Sequence, residues 1–263
     1  MITSSDNKGV KAVIQLEQKA KERREQGLFV AEGIKMFLEA PVDMIEKVYV
    51  SESFLKEMSD ACKAKLETEI SYYETVSDEI FVKMSDTKTP QGILCVVRQS
   101  RYTESAMFKT PNPMFIILET IQDPGNLGTI FRAAEGAGVS GIIMSDDTAD
   151  IYNPKAIRST MGAVYRMPFL YVQDLNIIIE EMQKKNITVY AAHLEGAKAY
   201  DECNYQSGTA FLIGNEGNGL REETAKAADA AIKIPMLGKV ESLNAAVAAS
   251  VLIYEAARQR RQK

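Results

Sequence analysis

The chain has no tryptophan, one histidine and three cysteines among its 263 residues, and each scarcity closes off a class of function. With His193 the sole histidine and Cys62, Cys95 and Cys203 far apart in the sequence, spacing brings no ligand set together, so no metal is expected. Three widely separated thiols fit a reducing compartment better than a disulfide framework. No run approaches the roughly 20 apolar residues that cross a bilayer, and the opening MITSSDNKGVKAVIQ lacks the apolar core of a secretion signal. The expectation is a cytoplasmic protein with no membrane partner. Net positive charge is missing too: 31 Lys and Arg stand against 36 Asp and Glu, a balance of −5, which argues against a surface that is basic throughout. The positive charge that exists is gathered at Lys8, Lys11, Lys19, Lys21, Arg23 and Arg24 and again at Arg258, Arg260, Arg261 and Lys263. Charge alone reads these runs as solvated helix faces, and as local patches they are the candidates for phosphate contacts.

Residues 1–98 read as a small α/β domain, with a charged helix near 8–26, strands at 28–31, 45–51 and 92–97, and helices after Gly33 and over 54–66. Residues 99–112 are polar and aperiodic and run into Pro111-Asn112-Pro113, the pattern of a linker. From 113 to 263 the strands MFIILE, GIIMS, 167–172, ITVYAA, TAFLIG and AIKIP alternate with helices starting near Asn126, Pro154, Leu175, Leu220 and Ser242. Apolar strands alternating with helices mean a parallel sheet covered on both faces. Ligands of such sheets lie beyond the carboxyl ends of the strands, so chemistry is expected in the loops that follow them.

One motif in this half misleads. Gly136-Ala137-Gly138-Val139-Ser140-Gly141 fits the dinucleotide pattern G-x-G-x-x-G, yet it closes a helix and opens a strand, whereas that fingerprint must follow a strand and open a helix. A helix C-terminus explains the glycines, and a nicotinamide dehydrogenase is set aside. His193, at a strand end, reads as structural, and Met161, Met167 and Met182 read as core filling.

Three other loops carry the chemistry. In 117–139 a strand ends at Glu119 and Asn126 is placed to cap a helix whose Leu127, Ile130, Phe131 and Ala134 form one apolar stripe, with Arg132 off it. In 211–223 a strand runs into Gly214-Asn215-Glu216-Gly217-Asn218-Gly219, where three glycines permit close backbone approach to a ligand but the Lys of a phosphate-binding Walker loop is absent. In 232–260 Ser242-Leu243-Asn244 opens a helix that is apolar nearly all round from 243 to 257, which calls for cover on more than one side and points to a subunit interface.

In order and spacing these three segments resemble the signature motifs of SpoU-type (TrmH-like) RNA ribose 2′-O-methyltransferases of the SPOUT superfamily, over about 113–260. Phe29-Val30-Ala31-Glu32-Gly33 and Thr89-Pro90-Gln91-Gly92 also resemble that family's N-terminal substrate-binding domain, itself similar to a small ribosomal RNA-binding protein. The resemblance implies that Asn126, Arg132, Glu216, Ser242 and Asn244 form the catalytic surface. It implies that S-adenosyl-L-methionine is held by backbone at Gly214, Ile234 and Leu243, with Gly196 and Met236 beside them. It also implies a deep trefoil knot and a homodimer whose sites draw on two subunits. The partner would be RNA, with 23S ribosomal RNA preferred over transfer RNA, met by Lys8, Lys11, Lys19, Arg23 and Arg24. The alternative is an RNA-binding protein that keeps the motifs without methyl transfer.

Overall fold

The charged start of the chain does not run as one helix. In the computed structural model, which describes residues 1–194 and 198–261, α1 (Lys8–Gln18) is capped by the Asn7 side chain and buries Val10, Val13 and Leu16. Lys19 is then extended, and α2 (Ala20–Gln26) starts afresh and ends on left-handed Gly27. The break turns Arg23 inward, where it is 3% exposed. Its guanidinium donates to the carbonyls of Leu16 and Glu17, which the end of α1 leaves without helical donors, and forms an ion pair with Asp150 at 2.8 Å. Arg23 thus leaves the set of expected RNA contacts, because its charge is spent inside the fold.

The chain continues through β1 (Leu28–Glu32), α3 (Ile34–Glu39), β2 (Ile45–Ser51), α4 (Glu52–Glu57), α5 (Asp60–Thr68), β3 (Glu74–Val76), α6 (Asp78–Met84) and β4 (Ile93–Arg98). The single helix expected over 54–66 is two, because Ser51 and Ser59 each accept a backbone N–H and start a new helix. The four strands form a sheet in the order β1-β4-β2-β3, with β4 antiparallel to both neighbours and β3 parallel to β2.

After the short α7 (Glu104–Met107) come β5 (Met114–Leu118), α8 (Pro124–Ala137), β6 (Gly141–Ser145), α9 (Pro154–Thr160), β7 (Phe169–Val172) and α10 (Leu175–Lys184). Then follow β8 (Thr188–Ala192), β9 (Lys198–Ala199), β10 (Thr209–Ile213), α11 (Glu222–Ala227), β11 (Ala230–Lys233) and α12 (Ala245–Arg261). The seven strands pair in the order β7-β6-β5-β10-β8-β11-β9, each pair parallel. Every position of β5, β6 and β10 is buried, as a sheet covered on both faces requires. Met167 and Met182 fill core, whereas Met161 is 42% exposed and left-handed at the end of α9, so it is not core filling.

Packing divides the chain into two units, Met1–Arg101 with Asp150–Tyr165, and Tyr102–Ala149 with Arg166–Lys263. The stretch Asp150–Tyr165 lies between β6 and β7 in sequence but belongs to the first unit. Its Tyr152 ring lies 4.7 Å from that of Phe29, the Tyr152 hydroxyl accepts the Ser100 N–H, and the Tyr165 hydroxyl donates to the Met36 carbonyl. A boundary drawn from composition at 98–113 carries no sign of this return.

In the second unit α12 buries Ala245, Ala246, Ala249, Leu252, Ile253, Ala256 and Ala257. Val247 and Tyr254, two turns apart, stay about half exposed.

Candidate active site

The helix expected to begin at Asn126 begins two residues earlier. Asp123 is the N-cap and accepts the Asn126 N–H at 2.9 Å, and Pro124 takes the first helical position, where a missing N–H costs nothing. Relieved of capping, the Asn126 side chain is available for other bonds. Its Nδ2 donates to Glu216 Oε1 at 3.0 Å, and its Oδ1 accepts from Asn244 Nδ2 at 3.0 Å. Asn244 is itself fixed, because its Oδ1 accepts the N–H groups of Ala246 and Val247 and so caps α12. One hydrogen-bonded chain, Asn244 to Asn126 to Glu216, therefore joins the three motif loops at the carboxyl edge of the parallel sheet.

The loop after β10 is closed on itself. Asn215 and Gly219 exchange both backbone hydrogen bonds at 3.0 Å, and Asn215 Oδ1 accepts from Gly217 and Asn218. A Cβ on Gly214 would lie 2.3 Å from the Gly219 carbonyl carbon, so only glycine permits this closure. The tip carries Glu216, whose Oε2 accepts the Gln122 N–H at 3.3 Å.

At its base this loop is tied to the end of β5 by residues that sequence reasoning passed over. Glu119, 1% exposed, accepts the Arg221 N–H at 2.7 Å and the Thr224 hydroxyl at 2.6 Å. Thr120 has φ +57, a left-handed conformation that costs a β-branched residue about 1 to 3 kcal/mol. Its N–H goes to Ser145, its carbonyl accepts from Asn215, and its hydroxyl donates to Asp147. Arg221 completes the cluster, donating to Asp147 Oδ2 at 2.8 Å and Thr120 Oγ1 at 3.2 Å. Partial burial acts to raise the Asp147 carboxyl, but hydrogen bonds from Ser145 and Thr120 and the Arg221 charge hold it below the usual carboxylate range. An acid directly after a fully apolar strand was the one available signal for Glu119.

Beside these loops lies a cavity of about 500 Å³, a size suited to a cofactor. Its lining combines apolar Ile213, Ile232, Ala245, Ala248 and Leu252 with Gly214, Leu220, Ile234, Met236 and Leu243 and with polar His193, Asn215, Glu216, Asn218, Lys233, Glu241 and Ser242. Backbone between β11 and α12 forms no helix or strand over 234–244, and Ile234, Met236, Glu241, Ser242 and Leu243 of this stretch line the cavity. A cavity with apolar and polar lining suits a group with both adenosine and amino-acid parts, as S-adenosylmethionine has, and the expected Gly214, Ile234, Met236 and Leu243 all line it. Gly196 lies outside the described residues.

Arg132 is not brought into this cluster. It is exposed on α8 and, among the described residues, makes no hydrogen bond or ion pair within the chain. Its neighbour one turn on, Gly136, faces Tyr254 closely enough that a Cβ would lie 3.0 Å from the Tyr254 hydroxyl. Lys8, Lys11, Lys19 and Arg24 are exposed in the first unit, with Lys11 paired to Asp6.

Comparison with known proteins finds matches in both halves of the chain. The model of the SpoU rRNA Methylase family matches residues 113–254, and that of the MRM3-like substrate binding domain matches residues 7–95. The chain is 31% identical, over 96% of its length and 97% of the relative's, to the 23S rRNA (guanosine(2553)-2′-O)-methyltransferase RlmP of Bacillus subtilis. Among solved structures it is similar to an AdoMet-bound rRNA methyltransferase from Sinorhizobium meliloti, with TM-score 0.82, 30% identity and coverage of 98% and 97% of the two chains. The fold also matches that of AviRb from Streptomyces viridochromogenes in complex with AdoMet, with TM-score 0.86, 24% identity and coverage of 97% and 98%.

Proposed function

The chain belongs to the SpoU rRNA methylase family, and from that premise we propose how its own residues carry out S-adenosylmethionine-dependent methylation of RNA at a ribose 2′-hydroxyl. The observation that carries the assignment is the chain of hydrogen bonds from Asn244 through Asn126 to Glu216, set beside a cavity that Glu216 and Ser242 also line.

S-adenosylmethionine supplies a methyl group on a sulfonium, so transfer to an oxygen neutralises charge and gains more from alignment and exclusion of water than from a strong local field. The harder task is the nucleophile, since a ribose hydroxyl attacks poorly until its proton is withdrawn or strongly hydrogen-bonded. In this reading Glu216 accepts that proton. Asn126 holds one of its oxygens, and the other faces the Gln122 N–H at a longer 3.3 Å. Arg132, a guanidinium that stays protonated, orients the hydroxyl and an adjacent phosphate. Ser242 completes the polar rim.

Arg132 stands apart from the other four within one chain, so the same reading makes the protein a homodimer in which Arg132 reaches the site across the interface. Support comes from Val247 and Tyr254 of α12, which are 49% and 45% exposed, the second lying against Gly136 one turn along α8 from Arg132; they give the apolar ground an isologous contact needs. The trefoil knot belongs to this reading too, supported by β10 and β11 flanking β8 while the loops that follow both strands line one cavity. RNA affinity is assigned to residues 1–98, joined by 99–112 to methyl transfer in 113–263, with Lys8, Lys11, Lys19 and Arg24 as phosphate contacts in the cytoplasm. Ribosomal RNA is preferred because similarity to the 23S enzyme of Bacillus subtilis runs through the first unit as well as the second. Mapping 2′-O-methyl groups in total RNA from cells with and without the gene tests this. A single position lost from 23S RNA is expected, and loss confined to transfer RNA would overturn the preference.

A further inference from the structure

We infer that Arg221 is a positioning residue for methyl transfer, acting through Glu216 by setting the tilt of the loop 214–220. The inference rests on the reading of Glu216 as a site residue. The loop's internal bonds, the paired Asn215 and Gly219 backbones and the Asn215 side chain on Gly217 and Asn218, make it a small closed body. A body closed in this way has few internal freedoms, and its orientation is decided by its ties to the rest of the unit. One side is held by the Asn215 Nδ2 bond to the Thr120 carbonyl at 2.8 Å. The other side is held by Arg221, through its N–H on buried Glu119 and its guanidinium on Asp147 and Thr120, next to Leu220, which packs on the core. Tilting about the Asn215 bond would swing the Glu216 carboxylate away from Asn126 and Gln122.

The conformation of Thr120 points the same way. A β-branched residue keeps a left-handed φ only where its surroundings over-determine it, and here Ser145, Asp147, Asn215 and Arg221 each bond to it. At this turn the Thr120 carbonyl accepts from Asn215, and its hydroxyl donates to Asp147 and accepts from Arg221. Arg221 is about half exposed and Asp147 is 44% exposed, so both can be changed without opening the core.

The test is a double-mutant cycle on the full-length protein. Arg221→Ala, Glu216→Gln and the double variant are compared in single-turnover methyl transfer from S-adenosylmethionine to total RNA of a strain lacking the gene. Cofactor affinity is measured by calorimetry and folding by thermal unfolding. Arg221→Ala is expected to lower the rate by about 10- to 100-fold, the usual effect of a small displacement of a reacting group, with the melting temperature held. In the Glu216→Gln background the same change is expected to add almost nothing, because the two act as one unit. Asp147→Asn is expected to slow the reaction in the same direction by a smaller factor. Additive effects, or a full rate for Arg221→Ala, overturn the inference and leave the site reading intact. A full rate for Glu216→Gln overturns the site reading itself, and the inference with it.

Discussion

Arg132 stands on the exposed side of α8, away from the buried stripe of Leu127, Ile130, Phe131 and Ala134, so its removal disturbs no packing. Arg132→Ala is expected to leave S-adenosylmethionine affinity nearly unchanged while lowering the methylation rate by about 100-fold or more, as loss of a transition-state contact does. Arg132→Lys should recover little, since an ammonium cannot reproduce the planar fork. A loss of cofactor binding on calorimetry would show the role to be wrongly assigned. Glu17 governs a different property. Burial, reinforced by the charges of Asp86 and Glu32 and opposed by Arg158 and Arg23, pushes its carboxyl up to about 8. Because the folded state holds this proton more tightly than the unfolded chain, Glu17 costs stability as pH rises from about 4.5, the ordinary value, towards 8. Melting temperatures measured across that window should fall more steeply for the natural protein than for Glu17→Gln. Single residues were the hardest scale to read from the sequence. Asn126 looked like a cap because Asn is a good one, but Asp123 followed by Pro124 competes better, and Arg23 looked solvated because a helix break at an ordinary Lys19 leaves no mark in composition.

At the scale of elements, strands were the most legible. Continuous apolar runs marked β5, β6 and β10, and the alternation of strands with helices gave the parallel sheet observed, because burial on both faces leaves little room for another pattern. Elements fixed by a few local bonds were less so. The two-residue β9 and three-residue β3 are too short to carry a period, and α4 and α5 are divided by serine caps. The same three loops that stood out in the sequence meet at the site, yet their bonds through Glu119, Thr120 and Arg221 depend on contacts about a hundred residues apart along the chain, which no local pattern encodes. The Asp123 cap gives an element-scale expectation. Asp123→Ala should cost about 1 kcal/mol of stability and lower activity further by loosening the turn that carries Asn126, measured by denaturant unfolding alongside methyl transfer. On α1 and α2, changing Lys8, Lys11, Lys19 and Arg24 to Gln should weaken RNA binding and flatten its salt dependence, each true phosphate contact removing about 0.7 to 0.9 from the slope of log K against log salt. An unchanged slope would move the RNA surface elsewhere.

For the whole molecule, sedimentation equilibrium at micromolar concentration should give about twice the 29.1 kDa chain mass, and Val247→Glu with Tyr254→Glu should shift it to one chain mass by placing charge on the shared apolar face. A monomer for the natural protein would require Arg132 to reach the site within one chain. The return of Asp150–Tyr165 to the first unit has a consequence of another kind, for the order in which the chain is made. A ribosome completes residue 101 with the first unit still short of Ile151, Tyr152, Ile157, Val164 and Tyr165, all buried in the finished protein. The missing stretch ends 64 residues later, 165 less 101, a delay of roughly 3 to 13 s at ordinary rates of synthesis. Throughout that interval the growing chain shows Phe29 without the Tyr152 ring that covers it, an apolar surface of the kind a chaperone holds.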